Sequence, residues 1–412
     1  MSSDVEGIEL RPVTADEAPR WMQVIEAGFG EHLEPGAVER ELTVLPLDRT
    51  IAAVDRDRIV GGAAAYGFTM SVPGGGSVPA AGVTAVAVSA THRRRGILRA
   101  IMRHQLDDVV RRGEPMAILN ASEAAIYGRF GYGLASSYQR WSIDPGSLRI
   151  TRPLPERPPL RLVPQDEAID LVRPIHDAAV AARPGMVRRS EAWWRLVLGP
   201  DEQWKGGGKL FVAVAEPFGA DPGGYALFSM RDAGAEGGLV MRVRELTAAT
   251  PDTEVLLWHL LTTTDLVRAI EVDAAPIDDE LRWWVHDPRA VRTVALRDYL
   301  WVRLLDVPAA LAARGYGVDG SLTLEVVDDA GYASGSYRLD VDAGAATCAR
   351  RPDGTDADVR LDVGALGAAY LGGVGLDTLA RAGRVQAASL DALATATALL
   401  AGGRAPFCDT RF

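Results

Sequence analysis

The sequence predicts a multidomain protein of mixed α/β and α+β class. Its 412 residues exceed the roughly 250–300 that one hydrophobic core usually organises. Two stretches of the chain repeat one order of predicted strands and helices, which indicates a duplicated α/β domain. From about Asp306 the composition shifts to Ala, Gly and Asp. Alternating strands followed by small-residue helices predict a third domain of the α+β type there.

The first domain is predicted to run strand, two helices, three strands, helix, strand, helix and strand. Its opening elements are the strand IELRPV, the helices TADEAPRWMQVIEAGF and GAVERELTVL, and a hairpin that turns at Asp55 to Arg58. After the strand GVTAVAVSA, a helix of about four turns begins at Ile97 and stops at Gly113. PMAILNAS is a strand, Ser122 is predicted to cap the short helix EAAIYGRF, and LASSYQRWSI is the last strand.

The domains are placed at 1–150, 151–305 and 306–412. The stretch ITRPLPERPPLRLVP has five prolines without periodicity and is typical of a linker. In the second domain, VMRVRELTAATPDTEVLLWHLLTT occupies the slot of VTAVAVSATHRRRGILRAIMRHQL in the first. Only the first stretch carries the arginines and the glycine, so the second domain is interpreted as a degenerate copy. In the third domain, LTLEVVDD, GSYRLDVD and VRLDVGALG are predicted strands.

Composition and charge exclude several classes of protein. Hydrophobic residues make up 48% and charged residues 24%, which are globular values. No apolar run approaches the roughly 20 residues of a membrane span, and the first residues lack an export signal, so we expect a cytoplasmic protein. The net charge of -11 argues against a nucleic-acid partner. Six scattered histidines and two cysteines without ligand spacing predict no metal site.

Arg93, Arg94, Arg95 and Gly96 stand where a strand ends and a helix begins. Such a turn leaves backbone N–H groups unpaired at the positive end of the helix dipole, which is an arrangement that binds phosphate. Gly96 permits close approach, and the arginines add charge-assisted hydrogen bonds. A solvated basic turn is the alternative. The chain has neither a P-loop nor a Gly-x-Gly-x-x-Gly motif at this place, so coenzyme A is the diphosphate carrier that suits the turn.

VAVSATHRRRGILRAIM followed by ILNASEAAIYGRFGYG resembles the acetyl-CoA signature of the GNAT superfamily of N-acetyltransferases. In particular it resembles the enhanced-intracellular-survival (Eis) branch, which acetylates aminoglycosides and other amines. The likeness is strongest over residues 80 to 145. It implies two tandem GNAT-like domains, the second degenerate, and a third domain that is similar to a sterol carrier protein.

The resemblance also implies where acetyl-CoA binds. Backbone groups of Val86, Ala87 and Val88 would hold the thioester carbonyl and the pantetheine arm. The residues implied around the pyrophosphate are Arg93, Arg94, Arg95, Gly96, Ile97, Leu98 and Arg99. The residues implied on the other side of the split strand are Asn120, Ser122 and Glu123.

Two catalytic groups follow from the same resemblance. Tyr127 would protonate the departing thiolate, although by composition a tyrosine there is more commonly a core aromatic, and Tyr132 is a second candidate. The C-terminal carboxylate of Phe412 would accept the proton of the incoming amine. A solvated terminus is the general alternative, and an exposed carboxylate with a pKa near about 3.5 is a poor base for an ammonium. Burial against aromatic side chains would raise its basicity.

The function expected is acetyl-CoA-dependent N-acetylation of amines, such as aminoglycoside-like polyamines or lysine side chains, by direct attack in a ternary complex. A homohexamer is expected from the resemblance. The alternatives are a lipid or sterol carrier and an acetyl-CoA-binding regulatory protein without turnover. Side chains considered for the acceptor site are Trp21, Phe29, Glu31, Tyr66, Trp193, Trp194, Trp283, Trp284, Asp287 and Asp409.

Overall fold

The computed structural model describes residues 5–199, 209–234, 237–352 and 354–412. The chain divides into two compact units. The first unit comprises Met1–Ala135, Leu300–Gly403 and Arg411–Phe412, and the second comprises Ser136–Tyr299 and Arg404–Thr410. The domain boundaries at 150 and 305 stay predictions. Among the described helices, none has both the length and the apolar character that a bilayer crossing needs.

The elements up to residue 135 follow the predicted order. They are β1 (Ile8–Arg11), α1 (Ala18–Gly28), α2 (Ala37–Glu41), β2 (Thr50–Asp55), β3 (Arg58–Ser71), β4 (Ser77–Val88), α3 (Ile97–Arg111), β5 (Met116–Asn120), α4 (Ala124–Tyr127) and β6 (Gly133–Leu134). The predicted hairpin turn is confirmed, because β2 ends at Asp55 and β3 begins at Arg58. The predicted cap of α4 is wrong: the capping position is Glu123, and no side chain bonds the helix there.

The middle of the chain contains eight strands and four α-helices within the described residues. The elements are β7 (Ser137–Ile143), β8 (Arg161–Val163), α5 (Gln165–Ala182), α6 (Glu191–Val197), β9 (Leu210–Ala215), β10 (Gly224–Asp232), β11 (Leu239–Ala248), α7 (Pro251–Thr262), β12 (Val267–Pro276), α8 (Leu281–Trp284), β13 (Val291–Asp298) and β14 (Leu300–Leu304). The slot predicted for a second strand–helix turn is therefore filled by β11 and α7. Thr250 caps α7 by accepting a hydrogen bond from the backbone N–H of Thr253.

The last part of the chain forms a small α+β domain. Its elements are α9 (Val307–Ala313), β15 (Gly320–Val327), β16 (Gly335–Asp342), β17 (Ala345–Arg351), β18 (Val359–Asp362), α10 (Val363–Tyr370), α11 (Leu376–Arg381), β19 (Val385–Ala387) and α12 (Leu390–Leu400). VRLDVGALG is a strand only as far as Asp362, so the prediction for its second half was wrong. The carboxylate of Asp362 accepts a hydrogen bond from the N–H of Ala365 at 2.8 Å and starts α10.

Two seven-stranded sheets and one five-stranded sheet organise these elements. The orders are β1-β2-β3-β4-β5-β14-β6, then β13-β7-β12-β11-β10-β9-β8, and finally β17-β16-β15-β18-β19. The strand β7 was predicted to complete the first domain, but it pairs with β12 and β13 in the second sheet. In turn, β14 lies between β5 and β6 in the first sheet. These pairings join residues far apart in sequence, so a local pattern does not show them.

Small residues let α10 pack directly on the first sheet. A Cβ atom on Gly133 in β6 would lie 1.8 Å from the carbonyl oxygen of Gly364. A Cβ atom on Gly367 would lie 2.3 Å from the carbonyl oxygen of Val302 in β14. All residues of α10 are buried. The Gly and Ala residues of this helix therefore serve close backbone packing.

Candidate active site

The strands β4 and β5 separate at the centre of the first sheet. They pair in parallel from Ala80 with Met116 to Val83 with Leu119, and the pairing ends there. The register between β3 and β4 shifts just beyond, between Gly62 and Ala64 on β3. Ala85 has φ 53°, a left-handed conformation that a residue with a side chain rarely adopts. This bulge parts β4 from its neighbour and leaves residues 84–88 unpaired towards β5.

The arginine turn connects β4 to α3 through two left-handed residues. Arg94 has φ 64° and Gly96 has φ 85°. Gly96 occupies the capping position of α3 and has no side chain that could cap the start of the helix. The first N–H groups of α3 are therefore available to a ligand, with the helix dipole behind them.

The three arginines of the turn differ in their surroundings. Arg93, Arg94 and Arg95 are all exposed. Arg95 Nη1 donates to Asp55 Oδ2 at 3.0 Å, and His92 Nε2 lies 3.3 Å from the same oxygen. The hydrogen bond from Arg95 lowers the pKa of Asp55, with smaller contributions from the nearby positive charges. Of the three, Arg93 and Arg94 line the neighbouring cavity.

A cavity of about 920 Å³ opens at this turn. The predicted site residues that line it are Val86, Ala87, Val88, Arg93, Arg94, Gly96, Ile97, Leu98, Arg99, Ser122, Glu123 and Tyr127. The predicted residues Arg95, Asn120 and Phe412 do not line it. The lining residues not assigned to the coenzyme site from sequence are Gly28, Phe29, His92, Ile126, Arg129 and Phe130.

Gly28 reaches this cavity because α1 lies very close to β4. A Cβ atom on Gly28 would stand 2.7 Å from Cβ of Ala87. No motif in the sequence marks this contact, since it depends on how α1 packs. His92, in contrast, could have been predicted to line the cavity from the sequence, because it directly precedes the three arginines of the turn.

A second cavity of about 320 Å³ adjoins the first. The two share the lining residues Phe29, Val86, Ser122 and Tyr127. The further lining residues of the second cavity are Val83, Thr84, Ala85, Asn120, Ala121 and Phe412. The cavities therefore meet around Tyr127, with the arginine turn in the larger and the chain end in the smaller.

Tyr127 and Tyr132 are both buried, but only Tyr127 faces the cavities. Burial raises the pKa of Tyr127; a hydrogen bond with Ser122 acts in the opposite sense, and the charge of Glu123 raises the pKa further. Tyr132 packs edge-on against Tyr127, with ring centroids 6.0 Å apart, and is only 2% exposed. Tyr132 lines neither cavity. Its pKa is raised by burial.

Phe412 at the chain end contacts the first sheet. Its backbone N–H donates to Asn120 Oδ1 at 3.4 Å. Its ring centroid lies 5.0 Å from that of Phe68 and 6.5 Å from that of Tyr66. The terminal residue is half-buried.

Most side chains considered for the acceptor site line neither of these two cavities. Phe29 lines both cavities. Those that are buried are Trp21, Tyr66, Trp193, Trp194 and Trp284. Trp283 is 86% exposed. Glu31 and Asp287 are exposed, and Asp287 accepts a hydrogen bond from the backbone N–H of Arg289.

Asp409 belongs to a buried charge cluster in the second unit. Ligand atoms of His176, Glu245 and Asp409 lie within 4.8 Å of one another, a grouping that the sequence spacing did not indicate. Arg189 already supplies a cation there, donating to both oxygens of Glu245 at 2.9 Å and lying 3.1 Å from Asp409. The carboxylates are thus paired with a guanidinium, and the absence of a metal stays a prediction.

Comparisons with known proteins agree with this geometry. Residues 9–135 and 185–304 match models described as acetyltransferase (GNAT) domains, and residues 307–409 match a sterol carrier protein domain. The chain is 40% identical to an uncharacterized N-acetyltransferase of Streptomyces coelicolor, over 97% of this chain and 98% of the relative. It is 32% identical to the N-acetyltransferase Eis of Mycobacterium tuberculosis, over 92% and 93% of the two chains.

A solved structure supports the same assignment. The crystal structure of Eis1 from Mycobacterium abscessus matches with a TM-score of 0.85 and 33% identity, covering 98% of this chain and 100% of that one. The mixed α/β architecture with two GNAT domains and a sterol-carrier-like domain is therefore confirmed. Acetyl-CoA is the cosubstrate that this fold implies. The chain belongs to the Eis-type N-acetyltransferases of the GNAT superfamily.

Proposed function

We propose that this acetyltransferase acetylates a primary amine by direct attack in a ternary complex, with acetyl-CoA in the 920 Å³ cavity and the amine in the 320 Å³ cavity. The observation that carries the proposal is that Tyr127 and Phe412 line the smaller cavity together, while Tyr127 also lines the larger one. The residues proposed to donate and to accept the proton therefore line one space beside the arginine turn.

The residues around the larger cavity fit the chemistry of coenzyme A. The exposed guanidinium groups of Arg93 and Arg94 would bind its phosphates, together with the first N–H groups of α3. Ile97, Leu98 and Arg99 contribute to this start of the helix. Arg95 is held by Asp55, so we propose that it acts mainly through its backbone. Such backbone donors need no reorganisation when an anion binds.

The parted strands would hold the acyl end. Backbone groups of Val86, Ala87 and Val88 face the gap left by β5 and can hydrogen bond the pantetheine arm and the thioester carbonyl. Ser122 and Glu123 line the opposite side. Acetyl-CoA supplies an activated acetyl group, and the chain's own groups orient it towards the smaller cavity.

Tyr127 is proposed as the proton donor for the departing thiolate. Burial raises its pKa, which keeps the phenol protonated at neutral pH. A general acid must lie within hydrogen-bond reach of the atom it protonates, and the shared lining of the two cavities allows this. Tyr132 is proposed as a core residue, since it lines neither cavity.

The carboxylate of Phe412 is proposed as the proton acceptor for the attacking amine. The rings of Phe68 and Tyr66 pack against the ring of Phe412, and we propose that they partly shield the carboxylate of this residue from water. Desolvation of a carboxylate disfavours its charged form, which makes it a stronger base than an exposed terminus. Its negative charge also attracts an ammonium before the proton is lost.

The acceptor, location and assembly are proposed from the resemblance. We infer an aminoglycoside-like polyamine or a lysine side chain as the acceptor, a cytoplasmic location and a homohexamer. A sterol carrier is the second candidate, because residues 307–409 match a sterol carrier protein domain. The close packing of α10 on the first sheet gives its small residues a structural role that does not need a lipid tunnel.

The test is release of the coenzyme A thiol from acetyl-CoA by the full-length chain. A panel of kanamycin, spermidine, tyramine and a lysine-containing peptide covers the acceptor classes. We expect amine-dependent thiol release and an acetylated product by mass spectrometry. Calorimetric binding of acetyl-CoA without turnover on any amine would favour the regulatory alternative, and no binding of acetyl-CoA at all would remove the proposal.

A further inference from the structure

We propose that Asn120, Tyr66 and Phe68 form a clamp that positions the C-terminal residue for catalysis. These three residues, which we call the C-terminal clamp, all contact Phe412. The inference deepens the proposed function, because it assigns the groups that hold the proton-accepting carboxylate in place. It also gives Asn120 a role other than the coenzyme contact that the resemblance implied.

Asn120 holds the backbone of the terminal residue. It is the last residue of β5, so its Cα is fixed by the sheet where it pairs with Leu300 in β14. Its side-chain oxygen accepts the N–H of Phe412 at 3.4 Å. Both residues line the smaller cavity, and Asn120 does not line the larger one. The side-chain amide of Asn120 therefore restrains the backbone nitrogen of Phe412, which is bonded to the same Cα as the terminal carboxylate.

Two rings on β3 hold the side chain of the terminal residue. Tyr66 and Phe68 are two positions apart on one strand, so they lie on the same face of the sheet. The Phe412 ring meets Phe68 at 63° and Tyr66 at 90°, both edge-on arrangements that aromatic rings favour. The Tyr66 hydroxyl donates to the carboxylate of Glu41 in α2, which fixes the orientation of that ring.

The main chain leaves room for this arrangement at Gly82 in β4. A Cβ atom there would lie 2.4 Å from the Phe68 ring and 3.3 Å from the Phe412 ring. Chain ends are ordinarily mobile, whereas a general base must stay within hydrogen-bond reach of the proton it takes. Backbone and ring contacts together restrict the last residue to the wall of the acceptor cavity.

A first experiment measures the clamp without any enzymatic turnover. Carboxypeptidase A removes a C-terminal aromatic residue, and mass spectrometry follows the loss of Phe412 from the native full-length chain. We expect Asn120→Ala and Phe68→Leu to release it several-fold faster than the wild type, because local opening becomes easier. Arg381→Ala, on an exposed part of α11, should release it at the wild-type rate. Unchanged release from Asn120→Ala and Phe68→Leu proteins with wild-type melting temperatures would overturn the clamp.

A second experiment separates positioning from coenzyme binding. With the fastest acceptor of the amine panel, Asn120→Ala should lower kcat about tenfold or more while KM for acetyl-CoA stays within about twofold. A raised KM for acetyl-CoA with unchanged kcat would instead return Asn120 to the coenzyme site and overturn the inference.

Asn120→Asp provides a near-isosteric variant that keeps an acceptor for the N–H of Phe412. Its added negative charge should raise the pKa of the terminal carboxylate and move the acidic limb of the kcat/KM profile to higher pH. Other charged or titratable side chains near this chain end include Arg411 beside Phe412, Tyr127 on the cavity wall and Glu41 behind Tyr66, and the variant replaces none of them. Tyr127 would affect the basic limb of the profile, so a shift of the acidic limb reports on the carboxylate. An unmoved limb would contradict the clamp. If the wild type releases no thiol with any amine, the proposed function fails, while the carboxypeptidase result still decides the clamp.

Discussion

Arg95 donates a hydrogen bond to Asp55 at 3.0 Å and is thereby held by the β2–β3 hairpin. Its neighbours Arg93 and Arg94 line the larger cavity instead. Three adjacent arginines that look equivalent in the sequence therefore have different surroundings. We propose that Arg95 holds the turn in place and that Arg93 and Arg94 bind the ligand.

We expect Arg94→Ala to weaken acetyl-CoA binding more than Arg95→Ala does. A lost charge-assisted hydrogen bond to a phosphate is worth about 1.5–3 kcal/mol, which corresponds to roughly 10- to 100-fold in Kd. Loss of the exposed Arg95–Asp55 pair should change Kd about twofold or less. Calorimetric titration with coenzyme A measures the Kd of both variants, and Arg58→Ala in the hairpin is the control. Equal losses of coenzyme A affinity in Arg94→Ala and Arg95→Ala would contradict the different roles proposed for these two arginines.

Tyr127→Phe should lower kcat by about 10²- to 10⁴-fold and leave the melting temperature nearly unchanged, because only a proton donor is lost. Since burial raises the pKa of Tyr127, ionisation of this group should cause no loss of kcat up to about pH 10. Tyr132→Phe is the matched control, since the Tyr132 hydroxyl has no hydrogen-bond partner within the described ranges. Steady-state kinetics that showed the larger loss for Tyr132→Phe would reverse the assignment.

Residues added after Phe412 should lower turnover strongly while acetyl-CoA affinity stays nearly unchanged. The extension converts the terminal carboxylate into an amide, which cannot accept the proton, and it must also leave the smaller cavity that Phe412 lines. A tag of the same length at the N-terminus is the control. Equal kcat for the two tagged proteins would exclude the terminal carboxylate from the mechanism.

Local sequence patterns predicted the parts of the site that lie next to one another in the chain. The arginine turn, the start of α3 at Ile97 and the return strand β5 were all found where the pattern placed them. They could be predicted because apolar periodicity and a positive-φ glycine act over a few residues. The prediction that Ser122 caps α4 failed, because a serine before a helix caps it only if its side chain turns towards the helix N–H groups.

Features that depend on distant pairing could not be predicted. The exchange that places β7 in the second sheet and β14 in the first joins residues more than one hundred positions apart. The contact of Gly28 with Ala87 likewise depends on how a helix packs on a sheet. The role proposed for Phe412 came from the family resemblance alone, since no local pattern predicts that the last residue contacts the first sheet.

The ion pair of Arg189 with Asp409 should make stability depend on acid pH. Burial acts to raise the pKa of Asp409, but attraction to Arg189 and His176 outweighs it, and the net pKa lies below the ordinary range. A carboxyl with a depressed folded pKa stabilises the fold above its unfolded pKa, about 3.9, and that contribution is lost as pH falls. We expect the free energy of unfolding to decrease below about pH 4.

Urea unfolding at several pH values measures this dependence. Asp409→Asn should flatten the acid part of the profile, whereas Asp252→Asn, at an exposed carboxylate, should leave it unchanged. Arg189→Ala should cost about 3–5 kcal/mol at neutral pH, because it leaves Glu245 and Asp409 buried without their cation. If the free energy of unfolding of Asp409→Asn depends on pH as it does in the wild type, another group causes the acid sensitivity.

Gly82→Ala should reduce activity through the chain end. The added methyl group would lie 2.4 Å from the Phe68 ring, so that ring must move, and the Phe412 ring 3.3 Å away must move with it. Overpacking of this kind costs about 1–3 kcal/mol of stability. Because the coenzyme cavity does not include Gly82, we expect kcat to fall with little change in KM for acetyl-CoA.

The double variant Gly82→Ala with Phe68→Ala restores space beside the terminal ring. It should not recover kcat, because the contact of Phe68 with Phe412 is still missing. Full recovery of kcat would show that the ring contact has no part in positioning the carboxylate.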